Sequence, residues 1–111
     1  MIKVTISRND NKKIVAFTMN GHAQFAEHGK DLVCAGASAV SFGTINAIHA
    51  LCRVTPHIDQ AGKDGGYLRC EFPTDVDSST FEKMQVLLEG MVVSLQTIEL
   101  DYGNYIKIQT K

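Results

Sequence analysis

Ile2, Val4 and Ile6 alternate with Lys3 and Thr5, and Val15, Phe17 and Met19 recur at the same period two. That period belongs to a strand with one buried face, and the polar run Arg8 to Lys12 between the two segments supplies a turn, so the opening twenty residues predict a β-hairpin. From Gly21 to Asp31 no period is sustained and two glycines intervene, which predicts an irregular connection carrying exposed polar groups. The 21 residues from Leu32 to Cys52 then carry no formal charge. Phe42, Ile45, His49 and Cys52 form one helical stripe and Val40, Ala47 and Leu51 another, so the segment predicts a central helix that is apolar nearly all round and buried on more than one side. On that reading His49 is a core residue. Thr55-Pro56 ends the helix, because proline disfavours helical geometry in the residue before it and has no N–H to donate.

His57 to Gly66, with Gly62, Gly65 and Gly66, reads as a loop. Leu68, Cys70 and Phe72 alternate with Tyr67, Arg69 and Glu71 as a third strand. Ser79 with Glu82 three residues on has the form of a capping box, and Phe81, Met84, Leu88, Met91, Val92 and Leu95 follow at helical spacing. A turn over Asp101 to Asn104 leads into a last strand, Tyr105 to Gln109. The order ββαβαβ predicts an α+β domain, a largely antiparallel four-stranded sheet with two helices, and the length of 111 residues suits one domain spanning 1–111.

Composition narrows the function. Eleven Lys plus Arg against twelve Asp plus Glu give a formal net charge of −1, which supplies no broad positive field for a phosphate backbone or an anionic bilayer. The uncharged run is long enough to span a membrane, yet Ser38, Ser41, Thr44, Asn46, His49 and two glycines interrupt it, so a core helix is expected and no membrane partner. The N-terminus alternates instead of presenting an apolar h-region, and a cytoplasmic location is expected. Three cysteines leave one unpaired, and Cys34 and Cys52 bracket one helix about 27 Å apart, so disulfides are not expected.

Candidate chemistry concentrates between residues 21 and 38. Cys34 falls near the start of the long helix, where unsatisfied N–H groups and the positive end of the helix dipole favour a thiolate. His22 leads towards it on the preceding connection, within reach of a thiol–imidazole contact. The competing reading is an inert buried cysteine beside an unrelated turn histidine. Ser38 lies one turn beyond Cys34 on the same face, available to the histidine, to a substrate backbone, or to the Cys34 carbonyl. Asp31 orients His22 or caps the helix. His22, His28 and Cys34 are all zinc-binding types, but their even spacing matches no common zinc signature, so neither a metal nor another cofactor is expected. Gly62 to Gly66 feeds a strand and not a helix, which makes it turn chemistry and not a phosphate loop.

Taken together, Gly21-His22-Ala23, Gly29-x-Asp31-x-x-Cys34 and Ser38, with strands before and an amphipathic helix after, resemble the ribosomal-processing cysteine protease family called Prp. The resemblance spans nearly the whole chain. It implies a small α+β homodimer that removes a short N-terminal extension from large-subunit ribosomal protein twenty-seven, cutting after a pair of phenylalanines. It further implies Cys34 as nucleophile, His22 as its base, and Gly21, Asp31 and Ser38 as supporting positions. The backbone N–H groups of Cys34 and Ala35 are expected as oxyanion donors, and Phe25 and Met19 as candidates for an apolar groove. The alternative is a non-catalytic dimeric binding module of ribosome assembly.

Overall fold

The computed structural model of the protein describes residues 1–21, 28–61 and 66–111, and of 28–31 the backbone alone. Two strands, β1 (Ile2–Arg8) and β2 (Ile14–Asn20), pair antiparallel from Lys3↔Asn20 to Arg8↔Ile14, with a break in register at Ser7/Arg8. The turn between them is closed by the Asn9 side chain, which accepts from the N–H groups of Asn11 and Lys13 and so lets Lys12 adopt φ 65°. Helix α1 (His28–Ala47) continues into a wide π-type turn at Ile48–Cys52 and stops at Arg53, whose φ of 57° is left-handed. Next come β3 (His57–Ala61), β4 (Tyr67–Glu71), α2 (Ser78–Tyr102) and β5 (Ile106–Thr110). The sheet order is β3-β4-β2-β1-β5, antiparallel throughout except for the parallel pair β1–β5.

The α+β class and the two helices agree with the sequence reading, and the strand count differs by one. His57–Ala61 is an edge strand in the stretch read as loop. All five of its residues are exposed, so it has no buried face to leave a periodic mark, and it is held by backbone pairing to β4 alone.

One face of the sheet carries the core. Ile6, Phe17, Cys70 and Ile58 lie in one row across four strands, and Val4, Met19 and Leu68 in another. The opposite face is polar and open, with Arg69 donating to Thr18 and Gln109 to Thr5. Helix α1 buries Val33, Ala37, Ser41, Ile45 and Ile48, a single stripe at spacings of four and three. The expectation of burial on more than one side is therefore corrected. Its outer surface is made of Ala, Gly, Ser and a few larger apolar residues, which look hydrophobic in sequence but bury little area, and His49 lies on that exposed side and not in the core. Helix α2 buries Met84, Leu88, Met91, Val92 and Leu95 as predicted, but begins earlier: Asp77 is the N-cap and accepts from the Thr80 N–H at 2.7 Å. Asp77-Ser78-Ser79-Thr80 offers four capping-competent side chains in succession. The first is used because the carboxylate is the strongest acceptor among them.

Candidate active site

The seventh residue of α1, Cys34, sits in its second turn, half-buried against the core. Its direction follows from a neighbour. A Cβ built on Gly36 would lie 3.5 Å from Ile98 Cδ1, so α2 passes on that side of α1. Two residues turn a helix by about 200°, and Cys34 therefore faces away from α2. Since α2 packs on β5 and β2, that side of α1 faces the β4–β3 half of the sheet. Ser38 and Phe42 stand four and eight residues on, on the same face of the helix; Ser38 is exposed and Phe42 is 38% exposed. Across the sheet the inner-face residue of β3, Ile58, is 39% exposed, so apolar surface remains open on the side to which Cys34 points.

The connection that precedes α1 is anchored where it leaves the sheet. Gly21 follows β2, takes φ 97°, and donates its N–H to the Gly66 carbonyl at 2.9 Å. A Cβ at this position would overlap the Met1 carbonyl oxygen. Only glycine combines that positive φ with so close a backbone approach, which gives the motif glycine a physical reason that the sequence alone does not supply. The structure thus fixes the point from which residue 22 departs. His22 itself lies outside the described residues, as do Phe25 and the side chains of His28 and Asp31.

Because α1 begins at His28, two expectations shift. Asp31 is the fourth residue of the helix and not its cap, though a carboxylate in the first turn still complements the dipole. The N–H groups of Cys34 and Ala35 lie beyond the first four amides, within the regular ladder of an α-helix. Met19 sits on the inner face of β2, packed against the core, and is mostly committed to it.

The other thiols are placed differently. Cys70 is fully buried in the row with Phe17, and burial together with the Glu71 charge pushes its pKa up to about 12. Cys52 is half-buried in the π-type turn, beside Leu51, Lys83, Val86 and Leu87. The segment from Leu32 to Cys52 carries no formal charge, so the charged residues of α1, Lys30 and Asp31, are confined to its first turn, ahead of Cys34.

Comparison with known proteins gives consistent results. Residues 1–107 match the model of the family described as cysteine protease Prp. The chain is 51% identical over 110 residues to the ribosomal processing cysteine protease Prp of Bacillus subtilis (strain 168), covering 99% of this chain and 97% of that one. It is 42% identical over 111 residues to the protein of the same name from Staphylococcus aureus (strain Mu50), covering both chains entirely. Among solved structures it superposes with a TM-score of 0.85, at 40% identity and full coverage of both chains, on the essential ribosomal processing protease Prp from S. aureus in complex with a covalently linked product peptide. The same protein with a substrate peptide gives a TM-score of 0.85 at 41% identity, again over the whole of both chains.

Proposed function

The chain belongs to the cysteine protease Prp family, and from that premise we propose that it removes the N-terminal extension of the precursor of large-subunit ribosomal protein twenty-seven, with Cys34 as nucleophile and His22 as base. The family assignment leaves the alternative of a non-catalytic binding module without support. The single observation that most favours the specific reading is the placement of Cys34: a half-buried thiol on the side of α1 away from α2, with the exposed Ser38 and Phe42 following it on that face.

In the proposed mechanism His22 accepts the Cys34 thiol proton as Sγ attacks the scissile carbonyl carbon. The resulting tetrahedral oxyanion collapses, breaking the C–N bond, and the imidazolium gives its proton to the leaving amine. His22 then deprotonates a water that attacks the thioester, releasing the acid and restoring the thiol. Gly21 positions His22 by fixing the departure of its segment. Asp31 and Ser38 support the pair, Ser38 from the same face as Cys34. For Cys34 and Ala35 to donate their N–H groups to the oxyanion, the first turn of α1 must open when peptide binds, since both amides sit in the ladder of the described helix.

The remaining assignments are part of the same reading. No cofactor takes part. The net charge of −1 favours a free precursor as substrate over ribosomal RNA as a direct partner, the setting is the cytoplasm where precursors are made, and the working form is a homodimer. Purified protein under reducing conditions, incubated with a peptide carrying the extension, should yield two products by mass. Cys34→Ala and His22→Ala should each lower the rate by at least a thousandfold while leaving the circular dichroism unchanged. Cleavage surviving in Cys34→Ala would remove this pair from the mechanism.

A further inference from the structure

The two edges of the sheet are finished differently. On β5 the Ile108 N–H donates to the Glu99 carboxylate at 3.0 Å, so a side chain of α2 covers that edge. β3 forms the opposite edge, and among the described residues no side chain bonds to its backbone. The alternation of backbone bonds shows which of its groups are free. Phe72 donates its N–H to the Val15 carbonyl of β2, and the Gly66 carbonyl accepts from Gly21. Bonding directions alternate along a strand, so Leu68 and Cys70 also bond to β2, while Tyr67, Arg69 and Glu71 bond to β3. Their partners there are Ala61, Asp59 and His57. Ile58 and Gln60 remain, each with its N–H and C=O directed away from the sheet. Their side chains belong to the inner face, where Ile58 is half open. Native edges are blunted by lysines, bulges or a covering element. On β3 the charged Asp59 and its neighbour His57 lie 3.4 Å apart on the outer face, which leaves the backbone open. The strand also runs to the catalytic end of the sheet. Ala61 pairs with Tyr67 and Tyr67 with Asn20, the residue before Gly21, so β3 ends two strand spacings, about 10 Å, from where the His22 segment departs.

We propose that the outer edge of β3 is the docking strand for the substrate polypeptide, which adds to the sheet as a further strand on the backbone N–H and C=O groups of Ile58 and Gln60. The inference rests on the protease reading above and deepens it by naming the element that holds the precursor. Two features select an extended polypeptide as the occupant. First, the free groups are donor and acceptor pairs two residues apart, which is the repeat of an extended chain and of no compact ligand. Second, the edge ends beside the departure of the His22 segment, on the half of the sheet that Cys34 faces, so a chain held there leads towards the nucleophile. Main-chain bonds give such a strand its affinity and alternate side chains its selectivity. Substrate residues opposite Ile58 and Gln60 point to the inner face, where the open side of Ile58 favours apolar groups. The residue between them points to the polar outer face, beside Asp59 and His57.

The test measures binding of a fluorescein-labelled peptide carrying the extension to the Cys34→Ala chain, by fluorescence anisotropy. Gln60→Pro removes an outward N–H and no bond to β4, so Kd should rise about tenfold with an unchanged circular dichroism spectrum, and with Cys34 intact the same change should raise KM. Asp59→Pro removes a bond to Arg69 and should instead lower Tm. Esters replacing single amides of the peptide, away from the scissile bond, leave the protein unaltered. Their cost in affinity should fall on alternate positions, and the costliest ester should cost less in Gln60→Pro, because the two changes act on one strand pairing. Ester costs without alternation, or Gln60→Pro that binds as tightly as before, overturn the docking strand. A changed particle mass in Gln60→Pro with Kd unaltered also overturns it and gives the edge to a second copy. Binding that depends on Gln60 in a protein that never cuts the peptide keeps the docking strand and overturns the protease reading. No binding at all overturns the docking strand, and cleavage by the unaltered chain then decides the protease reading separately.

Discussion

Gln85 provides a test of how α2 is fastened to the sheet. Its carboxamide is buried and makes two hydrogen bonds to one residue: the Ile14 N–H donates to Oε1 at 2.8 Å, and Nε2 donates to the Ile14 carbonyl at 2.8 Å. Ile14 sits at the register break between β1 and β2, where strand pairing shifts, and the side chain takes the place of a neighbouring strand. Gln85→Met keeps length and apolar contact but removes both partners, leaving a buried donor and a buried acceptor unsatisfied. At about 1–3 kcal/mol for each group, less the small gain from a more apolar side chain, the cost is about 3 kcal/mol. For a chain of this length, with an unfolding entropy of about 2.1 cal/mol/K per residue, that corresponds to a fall in Tm of about 13 °C. Urea unfolding followed by circular dichroism should show the midpoint lowered with an unchanged slope. Gln85→Glu keeps the acceptor, loses the donor and faces a carboxylate towards the Ile14 carbonyl. Burial raises the folded-state pKa of that carboxyl, so its penalty is absent below about pH 4 and grows as pH rises. Gln85→Met within 0.5 kcal/mol of the unaltered protein, or Gln85→Glu that is no worse at pH 7 than at pH 4, would refute the reasoning.

Three further outcomes follow from the same geometry. In the folded protein Cys34 should react with iodoacetamide well before Cys52, and Cys70 should stay unlabelled until denaturant is added, because its thiol is fully buried and its pKa is pushed up to about 12; labelling mapped by mass spectrometry checks this, and early modification of Cys70 contradicts it. Gly21→Ala should lose about 1–3 kcal/mol of stability and cut the cleavage rate further than stability alone explains, since the positive φ and the Met1 carbonyl both oppose a methyl group; full activity in that variant removes Gly21 from its positioning role. The Asp77 carboxyl is held below its usual range by the Thr80 N–H and hydroxyl, so it contributes stability that is present above the ordinary carboxylate pKa and is lost as pH falls through the lowered folded-state value; acid unfolding of Asp77→Ala should lack that component.

Helices and strands with one buried face were legible because burial writes a period into the sequence. Ile2, Val4 and Ile6, and Met84 to Leu95, keep the two periods cleanly and occupy the elements expected of them. Three features left no such mark. β3 has no buried residue, so backbone pairing to β4 is all that defines it. The second stripe read on α1, Val40, Ala47 and Leu51, consists of apolar residues that the fold leaves half-buried or exposed, and composition alone does not distinguish them from a core stripe. The α2 cap was read at Ser79 because a Ser-x-x-Glu pattern is there, although Asp77 stands two residues earlier with a stronger acceptor. Gln85 could not have been found at all, since its partner is a backbone group 71 residues away.

The site was legible to a different depth, because sequence shows which groups are near one another along the chain and not which way they face. Cys34 and Ser38 share a helical face by spacing alone, but only Gly36 against Ile98 shows that this face turns from α2 towards the β4–β3 half of the sheet. The exposed Phe42 and Ile58, from segments read as core stripe and loop, acquire meaning only through that orientation. Helix start carries the remaining lesson. Placing the first turn at His28 and not at Leu32 moves Cys34 into the second turn, where the dipole is weaker and the amides are already bonded. In the proposed mechanism a thiol so placed depends on the His22 imidazole more than on the helix for activation. Removing His22 should therefore cost this enzyme nearly as much as removing Cys34, which a helix-activated thiolate would not require.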